Sequence, residues 1–264
     1  MKDTDGHTRT DTVVTGGPIL LALVLMVPFA MIEKRAAQPI MPMGLFANRA
    51  YTLANTASFF SAFCLFVSVV FLPRFFQEAL GHTASSSGLL LYPLMIAMVA
   101  GSLLAGTLIS GTGRYRPWLL GAAVLAAAGS LLFTQLTLDT GPWTMSAWMI
   151  LIGLGIGPML SGLNLVIQAT VDPADIGTAS SDVTFFRQIG GSIALAVAGT
   201  LYADTLAGDM SHGPHQAQAA ATAGALPWLS ATGAAATFLA VAFLPAPRRS
   251  LKHNSAGNSL GALA

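Results

Sequence analysis

Several polar side chains in this sequence could do chemistry, and they stand out because they interrupt long apolar runs. One run carries Ser161, Asn164 and Gln168, a second carries Asn55 and Ser58 after Thr52, and a third carries Gln188 and Ser192 after Thr184. Counted from Gly157, the steps to Ser161, Asn164 and Gln168 are four, three and four, which sets them on one face of a helix. Steps of three in Thr52, Asn55 and Ser58, and of four in Thr184, Gln188 and Ser192, have the same effect. Amides and hydroxyls of this kind donate and accept hydrogen bonds without ionising. Each unpaired one would be costly in hydrocarbon, so the stripes must face other helices or a water-filled cavity. At each position, bonding that merely joins helices competes with ligand binding.

Ionisable chemistry is sparse. The 264 residues are 54% hydrophobic and 9% charged, against about 25% charged in an ordinary soluble domain, so lipid must replace water over much of the surface. A net charge of +1 with no Lys/Arg run excludes a nucleic-acid partner. The acids fall in loops or at helix ends on this reading, which leaves no evident intramembrane proton carrier. Asp172 beside Pro173, and Ser181 or Asp182 before the run at 184, read as helix caps. Arg187 is the one charge expected inside a helix start. It either meets an anionic group or loop carboxylate at a cavity mouth, or snorkels to lipid phosphates. Cys64, the single cysteine, reads as a small buried hydrophobe. Asp209, His212 and His215 lack a fixed scaffold and a fourth donor, so no metal site is assigned. With no Ser/His/Asp arrangement and no phosphate-cradling loop either, neither an enzyme nor a cofactor is expected.

The elements that must position these groups are apolar runs long enough to cross a bilayer, near residues 13–32, 50–72, 88–109, 117–136, 144–168, 184–203 and 226–244. The expected fold is an all-α integral membrane protein of about seven transmembrane helices. A polar segment, 1–12, precedes the first span and loop, 13–49, with a helix start near Asn48; residues 50–247 follow as six helices, and 248–264 form a polar tail. Between two uncharged runs lies a basic, glycine-broken turn from Gly106 to Pro117, including Gly113, Arg114 and Arg116. Alternating the spans puts nine of the twelve basic residues on the side of that turn: Lys34, Arg35, Arg49, Arg114, Arg116, Arg187, Arg248, Arg249 and Lys252. The positive-inside rule makes that side cytoplasmic, with the C-terminus inside and the N-terminus outside. In Ile152-Gly-Leu-Gly-Ile-Gly-Pro158, three glycines precede a proline that cannot donate to the carbonyl of Leu154. Gly157 and Pro158 are therefore expected to bend or loosen that helix, as helices near transport sites do. Small-residue stripes, Ala97/Gly101/Ala105 and Gly190/Ala194/Ala198, suit close helix packing. Polar stripes and small-residue stripes together mark the helices at 50–72, 88–109, 144–168 and 184–203 as an inner set, with those at 117–136 and 226–244 outside.

The pattern Gly106-x-Leu108-x-Ser110-Gly111-x-Gly113-Arg114-Tyr115-Arg116 resembles the signature loop of the major facilitator superfamily, which joins the second and third helices of each half. Gly177-x-Ala179-Ser180 with Phe186-Arg187-Gln188-Ile189-Gly190-Gly191-Ser192 is similar to the start of the fifth helix in the C-terminal half of its fourteen-helix drug:proton antiporter branch. Glu33-x-Arg35 with Pro39-Ile40 and Leu45-Phe46-Ala47-Asn48 resembles the segment leading into that half. Where the signature has an acid and an Arg after the first glycine, this chain has Ser110 and Gly111. The resemblance implies a linker helix followed by a six-helix C-terminal bundle, with helices one, two, four and five lining the cavity. Those are the four selected by the stripes. It further implies a multi-pass protein of the plasma or bacterial inner membrane, working in the lipid bilayer as part of a pump that exchanges protons for lipophilic drugs or metabolites. No N-terminal bundle is present, so alternating access requires a missing N-terminal half or a second copy. The alternative expectation is a non-transporting membrane scaffold, or a truncated and inactive half-transporter.

Overall fold

The structure, a computed structural model, describes residues 43–208 and 214–245. The expected first span at 13–32, the segment 1–12, Lys34, Arg35 and the tail 248–264 lie outside the described residues. The described residues from Leu45 onward form one compact unit, and the description concerns that unit. Six helices in it are long and apolar enough to cross a membrane, one for each of the remaining six spans, and there is no strand among the described residues. The protein is an all-α integral membrane protein.

Helix α1 covers Arg49–Glu78; α2 (Ala84–Leu90) and α3 (Tyr92–Thr112) together make the second crossing. Then come α4 (Arg116–Leu132), α5 (Pro142–Gln168), α6 (Ile176–Gly208), the short α7 (Pro214–Ala223) and α8 (Ala225–Ala242). Local chemistry sets the boundaries. Asn48 caps α1 by accepting from the Ala50 N–H at 3.0 Å, and Thr83 caps α2 by accepting from the Ser86 N–H. Prolines occupy the first turns of α3, α4 and α5, where a missing N–H breaks no bond. Gly113 ends α3 at φ 66°, a left-handed cap that lets its N–H reach the Ile109 carbonyl at 2.8 Å.

Four boundaries differ from those expected. The turn beginning at Gly106 shrinks to Gly113–Tyr115, because Thr107 and Ser110 return their hydroxyls to carbonyls one turn back and stay helical. Helix α1 passes through Pro73 to Glu78. Helix α6 starts at Ile176 rather than 184, taking Ser181 and Asp182 into its body. The loop expected after residue 207 contains α7.

Helices α1 and α5 form the centre. Each has about half of its apolar stretch buried (50% and 56%), whereas the α2–α3 and α6 spans have only 28% buried. Helix α6 packs on α1, α3 packs on α5, and α4 and α8 pack on each other while closing one side over α5 and α1. The opposite side stays open, with α3, α5, α1 and α6 in that order across it. The four helices marked by the stripes thus lie side by side, with α4 and α8 packed behind α5 and α1.

Helix α5 is not broken at Pro158; it runs as one α-helix from Pro142 to Gln168. Its three glycines work as contact points. An added Cβ at Gly153 would lie 2.5 Å from the Leu94 carbonyl oxygen, and one at Gly157 would collide with the Met98 carbonyl, both in α3. Gly155 points the other way and meets the backbone of Ala122 and Ala126 in α4. The Leu154 carbonyl, deprived of its donor by Pro158, lies against Gly101 of α3, where a Cβ would sit 3.3 Å from it. Gly157→Ala is therefore expected to destabilise by about 1–3 kcal/mol or more through backbone overlap. Gly121→Ala on open α4 surface should instead be neutral or stabilise by up to about 1 kcal/mol. Unfolding midpoints of the two variants in detergent would check this.

Candidate functional site

The structure sorts the polar stripes into two kinds. Ser58 is fully buried and gives its hydroxyl to the Val183 carbonyl across the α1–α6 seam at 3.1 Å. Ser161 gives its hydroxyl to the Ser102 carbonyl of α3 at 3.0 Å. Both hydroxyls join helices. Gln168, Gln188 and Ser192 are exposed, with the Ser192 hydroxyl returned to the Gln188 carbonyl at 2.9 Å. Asn164 is half-buried and donates to the Leu160 carbonyl at 2.7 Å. The exposed surface of α6 divides into a polar strip, Ser181, Thr184, Gln188 and Ser192, and an adjoining apolar strip, Phe185, Ile189 and Ile193. The exposed face of α3, with Ile96, Val99 and Leu103, is apolar. A separate small cavity of about 30 Å³ lies between α1, α4, α5 and the α7–α8 junction, with Ser68, Ser130, Thr222 and Ser230 among its lining residues.

Three buried groups at the start of the α1–α6 pair stand apart. Tyr51 donates its hydroxyl to Asp182, and both residues are buried. Asp182 has a further polar partner beyond Tyr51. This overturns its expected role as a cap: three turns before the close contact at Gly190, Ala179 already lies in the helix, and Asp182 shares its inward side. Asn55, one turn beyond Tyr51, donates to the Tyr51 carbonyl at 3.1 Å, while its Oδ1 is buried with no partner among the described residues. Arg187 is half-buried with one guanidinium nitrogen unpartnered, and it meets no carboxylate among the described residues. Asp172 does precede the turn at Pro173, but its side chain makes no capping bond. The sequence did carry a signal for Asp182. Residues 179, 183, 186, 190, 194 and 198 continue one helical stripe with no breaker between them, but hydropathy alone starts the helix where the apolar run begins.

Polar contacts fasten the two ends of the bundle. At the end carrying the α3–α4 turn, the Tyr115 hydroxyl donates to the Pro245 carbonyl at 2.6 Å, and Arg116 donates to the Ala242 carbonyl. These satisfy carbonyls left over at the end of α8, and place a cation at the negative pole of that helix. Burial pushes the Tyr115 phenol above its ordinary range, which keeps it a donor. Arg114 is exposed. Asn48 also donates to the Thr170 carbonyl at 3.0 Å, tying α1 to the end of α5. At the opposite end, Arg74 donates to Glu78 at 2.7 Å and Tyr202 donates to the same carboxylate at 2.9 Å. The Arg74 guanidinium also stacks over the Tyr202 ring at 4.4 Å. His215 of α7 bonds the Glu78 carbonyl oxygen at 2.9 Å; Asp209 and His212 lie outside the described residues.

The arrangement is a six-helix unit whose polar strip opens to one side only, and comparison with known proteins assigns it. The sequence pattern of the Major Facilitator Superfamily matches residues 9–195. The chain belongs to the major facilitator superfamily. It is 36% identical over 185 residues to the "Multidrug transporter protein MdtP" of Bacillus subtilis, a match covering 70% of this chain and 34% of the relative. It is 29% identical to "Multidrug resistance protein 3" of the same organism, over 70% of this chain and 36% of that one. It is 30% identical to the "Rubrofusarin-specific efflux pump aurT" of Gibberella zeae, over 71% and 35%. The matched stretch thus spans about a third of these relatives' length. In this superfamily member the signature loop holds Ser110 and Gly111 at its acid and Arg positions, and Tyr115 and Arg116 make the contacts to α8 instead. Replacing both, as Tyr115→Phe with Arg116→Gln, removes two bonds of about 1 kcal/mol each. Amide exchange at Phe243 and Leu244 should quicken roughly five- to thirtyfold, with the middle of α8 unchanged, as hydrogen-exchange mass spectrometry can show.

Proposed function

We propose that this chain is the C-terminal six-helix half of a proton-driven efflux transporter, with residues 50–247 as its bundle and α1, α3, α5 and α6 forming the substrate-facing surface. The observation that carries the reading is the exposed polar strip of α6, Ser181, Thr184, Gln188 and Ser192, beside an apolar strip on the same helix. An amide exposed to lipid costs free energy, whereas one exposed to a water-filled cavity does not. The polar strip is thereby assigned to the cavity and the apolar strip to lipid. Gln168, Asn164, Gln188 and Ser192 are its substrate-facing groups, and their neutral character suits lipophilic compounds held by burial and a few hydrogen bonds. The names of the relatives support drug or metabolite export as the activity, and transport rather than enzyme chemistry.

The end with the α3–α4 turn is assigned to the cytoplasm of a plasma or bacterial inner membrane. It holds Arg49, Arg114, Arg116 and Arg187 of the described basic residues, against Arg74 at the other end. A complementary bundle, from another stretch of chain or a second copy, supplies the far wall of the cavity. In bacteria stripped of their own multidrug exporters, the chain produced with the first half of a superfamily relative should lower accumulation of a lipophilic cationic dye. Collapsing the proton gradient should abolish the effect. Gln188→Leu is expected to raise dye accumulation at least threefold towards the level of empty cells, while Ser58→Ala lowers stability and leaves the dye selectivity alone. Unchanged accumulation despite correct membrane insertion would sink the proposal.

A further inference from the structure

Among the described residues Arg187 is the one basic side chain deep inside a spanning helix. It lies eleven residues after the start of α6 and twenty-one before its end. Arg49 and Arg116 open their helices, Arg74 stands four residues from the end of α1, and Arg114 lies between α3 and α4. A cation at that depth is costly unless it reaches water or meets an anion. It does not escape to water: Nη2 is sealed from solvent, and the guanidinium makes neither a hydrogen bond nor an ion pair among the described residues. Asp182 is five residues back, turned away by roughly 140° at 3.6 residues per turn, and bonded to Tyr51 in the seam. What does adjoin Arg187 is the polar strip, since exposed Thr184 lies three residues before it and exposed Gln188 follows it. One turn further along α6 comes Gly191, where an added Cβ would sit 2.5 Å from the half-buried ring of Phe66 in α1. A cation, two neutral hydrogen-bonding groups and an aromatic ring thus share one edge of α6.

We propose that Arg187 is an anion-binding group of the substrate-facing surface, and that the compounds this bundle takes include lipophilic carboxylic acids. The inference rests on the proposed export and on the polar strip of α6 as a cavity wall. A planar guanidinium donates two parallel N–H bonds to a carboxylate, and such a ligand gives Nη2 the acceptor that it lacks. The Thr184 hydroxyl and the Gln188 amide stand beside that carboxylate, and the apolar body extends towards Phe66. The acid's head then points to the end with the α3–α4 turn. That is the orientation of an amphiphile in the leaflet at that end, with its charge at the headgroups and its body in hydrocarbon, so the acid enters without turning over. A neutral analogue leaves the buried donor unpaired, and a site of this kind discriminates against it. The phosphate of a lipid headgroup offers the same oxyanion chemistry, and the experiment separates the two sources.

The test is equilibrium binding of two fluorescent probes, a pyrene-bearing carboxylic acid and the matching neutral alcohol, to the purified full chain in nanodiscs of zwitterionic lipid, with empty nanodiscs subtracted. Arg187→Gln should weaken binding of the acid by roughly tenfold or more, the loss of a charge-assisted bond, and leave the alcohol unchanged. Arg187→Lys keeps the charge without the fork and should fall between. Equal binding of the acid by the wild type and Arg187→Gln overturns the proposal, as does a wild type that binds no acid. Anionic lipid is then added to the nanodiscs: an unchanged affinity for the acid supports a substrate site, and loss of the wild type's preference for the acid overturns it in favour of lipid phosphate. Should Arg187→Gln fail to fold, Arg187→Lys decides: weaker acid binding with unchanged alcohol binding supports the assignment, and unchanged acid binding overturns it. The readout requires no transport. A chain that exports no dye but binds the acid through Arg187 fails the export reading and retains the site, whereas one that exports dye and binds the acid equally well as Arg187→Gln fails this inference alone.

Discussion

The contact between the backbone of α5 and those of α3 and α4 is the constraint on which this bundle depends. In lipid, apolar side chains gain little by leaving solvent, so helices associate through close packing and hydrogen bonds. Gly153 and Gly157 let α3 approach from one side, and Gly155 lets α4 approach from the other. Three glycines in five residues would weaken a soluble helix. Here their missing side chains are the packing surface, and the carbonyl freed by Pro158 is set against the equally bare Gly101. Helix α1 makes the matching approach to α6 at Gly190 and to α8 at Gly233. Where helices are this close, a hydroxyl on the seam reaches a neighbouring carbonyl, which is why Ser58 and Ser161 are drawn into helix joining.

The same geometry explains which polar residues remain free to meet a ligand. On α5, most of the circumference is taken by α3 and α4, so only the Asn164–Gln168 edge reaches the open side. Helix α6 touches chiefly α1 and therefore keeps a wide exposed surface, on which polar and apolar strips lie side by side. A polar stripe on a membrane helix is thus ambiguous until its neighbours are known. Its spacing shows that it avoids lipid but not what it faces instead.

Much of the fold was legible in the sequence because the bilayer imposes a length on every crossing. The six described spans, the start at Asn48 and the small-residue stripes all follow from hydropathy and spacing. Boundaries were less legible where polar residues continue a helix. Ser110 and Thr107 satisfy themselves against their own backbone, and residues 176–183 extend α6 because nothing in them breaks it. Of the site, exposure of Gln168, Gln188 and Ser192 agrees with their periodicity. The burial of Asp182 was hidden by its polar neighbours: a sequence window averages over Ser180, Ser181 and Asp182, whereas burial depends on the one that faces Tyr51.

Tyrosine–carboxylate bonds fasten the α1–α6 pair at both ends, with the donor exchanged between helices: Tyr51 of α1 to Asp182 of α6, and Tyr202 of α6 to Glu78 of α1. Between them the Gly190–Phe59 approach holds the backbones together. Helices α3 and α5 form a second parallel pair, welded by Gly101, Gly153 and Gly157. Direct packing between α5 and α6 is slight by comparison. The open face therefore crosses from one tight pair to the other, and its polar groups are divided between them, Asn164 and Gln168 on one and Gln188 and Ser192 on the other. The two pairs are joined through α1 against α5 and through the α4–α8 layer behind them. A small change in how the pairs meet would alter the spacing of those four side chains while leaving every glycine contact within each pair intact. Rigidity inside the pairs and adjustability between them thus follow from where the glycines lie.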